Sequence, residues 1–175
     1  MYHTRARWTI LTLLLSATIA AGAAAQGKVD FSGTWELDLD ASDPVDDLLK
    51  AQGRSWMERK LAARTKITQI ITQSATEMRI AVTSSVMDRE EVLRLDGTPM
   101  TRKTLKGDEI TVTTRWSKDN KALLSETTVQ TESGPAKVVS KRTLKDGGKT
   151  MVVETTMTVK GGKVFRARRI FRKRG

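Results

Sequence analysis

The sequence predicts an all-β protein: an antiparallel up-and-down β-barrel of about ten strands with a lid of two short helices after the first strand. Three observations carry this. Helical spacing of apolar residues is confined to residues 43–63. From Lys66 onward Thr, Val and Ile become frequent and alternate with polar residues, with turn signals about every ten residues. The chain is also long enough for one domain with a core, and a meander of that length hides its strand edges by closing on itself.

The first 25 residues read as a cleaved signal peptide. Arg5 and Arg7 form a basic start, Trp8 to Ala20 an apolar centre, and Ala23-Ala24-Ala25 a small-residue cleavage site before Gln26. The apolar run is short for a membrane span, which needs roughly 20 apolar residues. The expected organisation is therefore signal peptide 1–25 and one barrel domain 26–175, in a secreted or periplasmic protein. Removing the signal leaves 29 basic and 20 acidic residues, a net charge of +9.

Val29 to Leu39 reads as the first strand, with Phe31, Trp35, Leu37 and Leu39 near a period of two. Asp43-Pro44 signals a helix start, Asp43 as N-cap and Pro44 at the first helical position. Val45, Leu48 and Leu49 share a face, and Gly53 ends the helix. Ser55 and Glu58 have capping-box spacing for a second helix. Further strands are expected near residues 66–73, 77–83, 87–95, 99–105, 109–116, 121–131, 136–145, 150–159 and 163–172. Ile110, Val112, Thr114 and Trp116 share one strand face; so do Met151, Val153, Thr155, Met157 and Val159.

These residues resemble the fatty-acid-binding protein branch of the lipocalin-like (calycin) superfamily, in an exported bacterial version. The resemblance rests on Gly33-Thr34-Trp35, on Asp46-Asp47-Leu48-Leu49-Lys50-Ala51-Gln52-Gly53 and on Arg59-Lys60-Leu61-Ala62, and spans residues 31–172. It implies a ten-stranded barrel with a helical lid around a lipid-sized cavity. The family's last strand often carries Arg-x-Tyr to hold a ligand carboxylate. Here the stretch is Arg169-Ile170-Phe171, so the tyrosine hydroxyl is missing. The resemblance places a second inward basic residue near Arg142 or Thr143. The family is mainly intracellular, whereas this chain looks exported.

The only histidine, His3, lies in the signal, and there is no cysteine. The exported portion therefore excludes Ser-His-Asp triads, cysteine nucleophiles, and zinc or haem sites held by those residues. No catalytic constellation, cofactor or metal is expected. Asp88, Glu90 and Glu91 read as a solvated cluster. Carboxylate catalysis would need two acids converging inside the cavity.

The expected function is reversible, non-catalytic binding of a small hydrophobic or amphipathic ligand, such as a fatty acid, by a monomer. Candidate ligand-binding residues are Arg169, Phe171, Phe165, Trp116, Leu49 and Met57. Phe165, Ala167, Arg169 and Phe171 alternate with the mostly charged Val164, Arg166, Arg168, Ile170 and Arg172, so the first set points inward. A guanidinium inside a barrel needs a partner, and a ligand carboxylate is one. Leu49 and Met57, with Val45, Leu48, Trp56 and Leu61, form the expected underside of the lid. The alternative is an envelope interaction protein with a closed barrel, docking through its basic C-terminal strand on anionic lipid or a protein partner. Nucleic acid fits poorly, since no recognition motif with interleaved aromatics accompanies the charge.

Overall fold

A computed structural model describes residues 27–104 and 107–175; the expected signal peptide, residues 1–25, lies outside the described residues. So does Leu105, the last residue of the expected strand 99–105. The chain runs β1 (Gly33–Asp38), α1 (Asp46–Ala51), α2 (Trp56–Ala62), β2 (Ile67–Gln73), β3 (Glu77–Ser84), β4 (Asp88–Arg94) and β5 (Met100–Lys103). It continues through β6 (Glu109–Trp116), β7 (Ala122–Thr131), β8 (Gly134–Lys145), β9 (Thr150–Thr158) and β10 (Val164–Lys173). The strands form one sheet in the order β4-β3-β2-β1-β10-β9-β8-β7-β6-β5, each pair antiparallel. The expected ten-stranded barrel with two helices after β1 is thus observed.

Closure is incomplete at one seam, between β4 and β5, which share no ladder. The local sequence explains it. Asp96-Gly97-Thr98-Pro99 turns the chain with Gly97 at φ 84°, and Pro99 brings no N–H to a ladder. Two contacts bridge the seam instead: an isolated pairing of Asp96 with Arg115, and an ion pair between Arg102 and Glu91.

The helices form largely for the expected reasons. Ser55 Oγ accepts from Glu58 N at 3.3 Å, and Glu58 Oε2 accepts from Ser55 N at 2.7 Å, a complete capping box. Gly53, at φ 70°, ends α1: its N–H donates to Lys50 O and Arg54 N–H to Leu49 O, the paired bonds of a Schellman stop. The start of α1 differs from expectation. Val45 is its N-cap, without a side-chain bond, and neither Asp43 nor Pro44 is helical. Asp43 is taken by the barrel wall: its N–H donates to Arg168 O at 2.8 Å and its Oδ2 accepts from Arg168 N at 2.9 Å. A residue held in a β-type pairing cannot also cap a helix.

The core fills the floor of the barrel. Phe31, Trp35, Met78 and Met151 are fully buried there, with Ile71, Leu93, Leu123 and Phe171 around them. The segment before β1 is pinned beneath by Gln73, whose Oε1 accepts from Phe31 N and whose Nε2 donates to Val29 O.

Gly33 explains the glycine before Trp35. Its φ is +133°, and a Cβ there would lie 2.6 Å from Lys173 Cε, whose ammonium sits 5.3 Å from the Trp35 ring centroid. Lysine can swing away, so the backbone strain dominates. Gly33→Ala is expected to destabilise the protein by about 1–3 kcal/mol in urea unfolding. A loss below a few tenths of a kcal/mol would show that the strand tolerates a side chain there.

Candidate functional site

Above the floor the barrel is hollow. A cavity of about 810 Å³ opens between the wall and the lid turn, and Gln52 and Arg54 of that turn border it. This volume lies within the range of small-molecule sites, roughly 300–1,000 Å³. The barrel is therefore not packed shut.

Strand register writes the wall of β6–β10 as three rows, because inward side chains recur every second residue. The lowest reads Trp116, Leu123, Arg142, Val153, Arg169. The next reads Thr114, Ser125, Ser140, Thr155, Ala167, four hydroxyls on four adjacent strands. The upper one reads Val112, Thr127, Val138, Met157, Phe165. Ser125, Ser140, Thr155 and Arg142 all border the cavity. Thr114 and Ser125 share a hydrogen bond of 2.8 Å, whereas Ser140 and Thr155 hydroxyls have no partner among the described residues.

Arg142 lies deep in the wall, half-buried by its surface exposure. It reaches across the interior from β8 to β2, donating from Nη1 to Gln69 Oε1 at 3.2 Å and lying 3.3 Å from Met151 Sδ. What remains accessible of it faces the cavity. Among the described residues no carboxylate pairs with it. Burial alone lowers its pKa from the ordinary guanidinium range to about 10. Arg169 faces inward two strands away, also without a partner among the described residues, and burial lowers its pKa too. Nearer the mouth, Arg89 and Arg102 border the cavity beside the seam; burial lowers both pKa values, and for Arg102 the neighbouring Arg89 charge adds to this.

Glu91 is the carboxylate on the inner face of β4, held by Arg102. The expected solvated cluster of Asp88, Glu90 and Glu91 is therefore split, since neighbouring strand residues point to opposite faces. Glu90 pairs outside with Arg79, and Glu126 with Arg115 and Lys137. Among the described residues no group of His, Cys, Asp or Glu is placed to hold a metal.

The six sequence-predicted residues are not brought together. Arg169, Phe171 and Phe165 share the inner face of β10, with Phe171 in the floor core and Phe165 half-buried under the Lys163 ammonium. Trp116 stacks on Phe31 at the floor, with ring centroids 6.2 Å apart. Leu49 is half-buried, while Met57 is 73% exposed. Of the expected lid underside, Leu48 is buried, but Trp56, Met57 and Leu61 are exposed, because α2 buries no residue. None of the six is among the residues bordering the cavity.

Arg142 settles the choice between it and Thr143: Arg142 points in. The signal was legible on β8, where Lys137, Lys141 and Lys145 recur every four residues and mark the outer face. Ser140 and Arg142 then fall on the inner one.

The outer face of β10 is basic but laterally paired. Arg168 meets Asp43 at 3.7 Å, Arg172 meets Asp38 at 3.0 Å, and Arg174 meets Glu36 at 2.8 Å. These pairs consume much of the charge that membrane docking would need.

No family model matches the sequence, and no curated protein matches it either. Solved structures do. A fatty acid transporter, REP1-NXSQ, aligns with TM-score 0.64 and 21% identity over 83% of this chain and 97% of its own. Lipid binding protein 8 of Caenorhabditis elegans, in its apo form, aligns with TM-score 0.66 and 17% identity over 82% and 95%. A Schistosoma mansoni fatty acid binding protein, solved with arachidonic acid, gives 0.65 and 21% over 83% and 96%. At these identities the likeness is one of architecture: the chain has the barrel fold of fatty-acid-binding proteins.

Proposed function

We propose that this protein is an exported carrier that reversibly binds a small amphipathic anion inside its barrel, without catalysis. The observation that carries this is the cavity of about 810 Å³ with the Arg142 guanidinium facing it, unmatched by any carboxylate among the described residues. A desolvated charge is tolerated in a fold when something pairs with it, and an entering anion supplies both charge and acceptor oxygens. The apolar wall, including Val112, Leu123, Val129 and Val138, receives the chain, each buried methylene contributing about 0.8 kcal/mol. Neighbours of the same fold, one named a fatty acid transporter and one a fatty acid binding protein, support the ligand class. Export rests on residues 1–25 as read from sequence; N-terminal sequencing of the protein recovered outside the cytoplasm should begin at Gln26.

Mass spectrometry of the natively purified protein is expected to show a co-purifying amphiphile. Arg169, on the row of Arg142, does not border the cavity as it stands and is assigned the second contact to the headgroup once its side chain swings toward a bound anion. Arg169→Ala should weaken hexadecanoate about tenfold more than its methyl ester, the scale of one charge-assisted hydrogen bond. Equal loss for both removes Arg169 from this role.

A further inference from the structure

The hydroxyl row beside Arg142 narrows the ligand. A carboxylate offers two oxygens and one charge. The wall offers more than that can use. Ser125, Ser140 and Thr155 lie directly opposite one another on adjacent strands, so their Cα atoms step by about 4.5–5.5 Å. Ser140 is two residues from Arg142 on β8, on the same face. The hydroxyls of Ser140 and Thr155 have no partner among the described residues, and both border the cavity. Below the row, two guanidiniums face inward, Arg142 and Arg169, again without a carboxylate partner among the described residues. Meanwhile the position that a carboxylate clamp would fill with a tyrosine hydroxyl is Phe171, sealed in the apolar floor.

We infer that the headgroup site, formed by Arg142, Ser125, Ser140 and Thr155 with Arg169 behind them on the row of Arg142, takes a phosphate monoester on an apolar chain rather than a carboxylate. A phosphate monoester carries about −1.5 to −2 charges at neutral pH and three acceptor oxygens. It matches the Arg142 guanidinium, with the second inward-facing charge of Arg169 behind it, and a row of hydroxyls in oxygens. Guanidinium forks and Ser/Thr hydroxyls are the donors such an oxyanion accepts from. At the mouth Arg102 is paired with Glu91, which leaves the Arg89 charge to add a positive potential along the entry path. This inference rests on the carrier reading above and deepens it.

Isothermal titration with hexadecyl phosphate, hexadecyl sulfate, hexadecanoate and inorganic phosphate tests it. The wild-type protein is expected to bind hexadecyl phosphate about tenfold tighter than hexadecanoate at pH 8. Hexadecyl sulfate, with three free oxygens but one charge fewer, should bind more weakly than the phosphate. The double variant Ser140→Ala, Thr155→Val should lose about tenfold for hexadecyl phosphate and a smaller factor for hexadecanoate. Tight hexadecanoate binding without a phosphate preference overturns this inference and leaves the carrier reading intact. Equal loss for both ligands in the double variant overturns it too, and sulfate binding as well as phosphate overturns the dianion. Inorganic phosphate binding as tightly as its alkyl ester overturns the lipid assignment. No binding of any alkyl ligand removes the carrier reading and this inference together. The wild-type comparisons need no variant to fold.

Discussion

Arg142→Met is expected to make the ligand-free protein more stable by about 1–4 kcal/mol while removing its preference for anions over neutral esters. The argument is one of desolvation. Arg142 is held inside the barrel by a neutral amide, Gln69, and a thioether, Met151. Neither supplies opposite charge, and burial drags its pKa down to about 10. The penalty for an unpaired interior charge exceeds what one neutral hydrogen bond returns. Methionine fills similar volume among apolar neighbours such as Leu123 and Val153 without that penalty.

The sign with pH follows from the direction of the shift. Burial brings the Arg142 proton to release near pH 10 in the folded state, whereas the unfolded chain keeps it to the ordinary, higher guanidinium pKa. Well below pH 10 both states hold the proton, so the penalty is constant there and eases only as pH climbs above about 10. The gain from Arg142→Met should therefore be flat between about pH 6 and 9. Thermal unfolding with and without hexadecanoate reads both halves. The apo variant melts several degrees higher, since about 1 kcal/mol moves Tm by a few degrees in a domain of this size. The ligand-induced rise in Tm, present in wild type through mass action, shrinks in the variant. A lower apo Tm in the variant would mean that the Gln69 and Met151 contacts make Arg142 a net structural support.

How far the sequence carried the fold, and where it stopped short, divides along one physical line. Strand existence followed from local pattern, because turn residues and β-branched alternation act within a few residues of themselves. The Ser55–Glu58 capping box and the Gly53 stop were equally local, and both formed. Asp43 misled because its partner, Arg168, is far away in sequence, and a tertiary pairing overrode a local capping preference. Met57, Trp56 and Leu61 misled because helical spacing says that apolar residues share a face, not that anything covers it.

The cavity wall was the hardest part to read. Arg169 was visible because its strand alternates cleanly. Arg142, Ser140 and Thr155 become one site only when β8 and β9 are in register, and register is a relation between strands rather than a property of any one. Glu91 shows the same limit: beside Glu90 it looks like surface charge, yet parity turns it inward to Arg102. The expected inward guanidinium of Arg169, with a second basic residue near Arg142 or Thr143, thus gave way to a wall that is polar along one whole side.

Trp35→Ala is expected to be the most damaging single change, destabilising the protein by about 3–5 kcal/mol or more. Trp35 is fully buried among the floor residues, and its indole Nε1 donates to Phe31 O at 2.9 Å. Truncation therefore opens a cavity and strands a buried carbonyl, the second effect alone worth about 1–3 kcal/mol. Against a typical stability of about 5–15 kcal/mol, the variant sits near the folding threshold. Trp116 is the control within the same floor. It stacks on Phe31, but it is only half-buried and its Nε1 has no hydrogen-bond partner among the described residues. Trp116→Phe discards an unsatisfied donor and keeps a ring, so its change in stability should stay within about 1 kcal/mol. Urea unfolding of both variants separates the two roles. Trp35→Phe adds the last control: it keeps most of the ring volume and loses the bond to Phe31, so it should fall between the other two. If Trp35→Phe costs as much as Trp35→Ala, the hydrogen bond that ties β1 to the segment beneath it, rather than the volume of the ring, holds the floor in place.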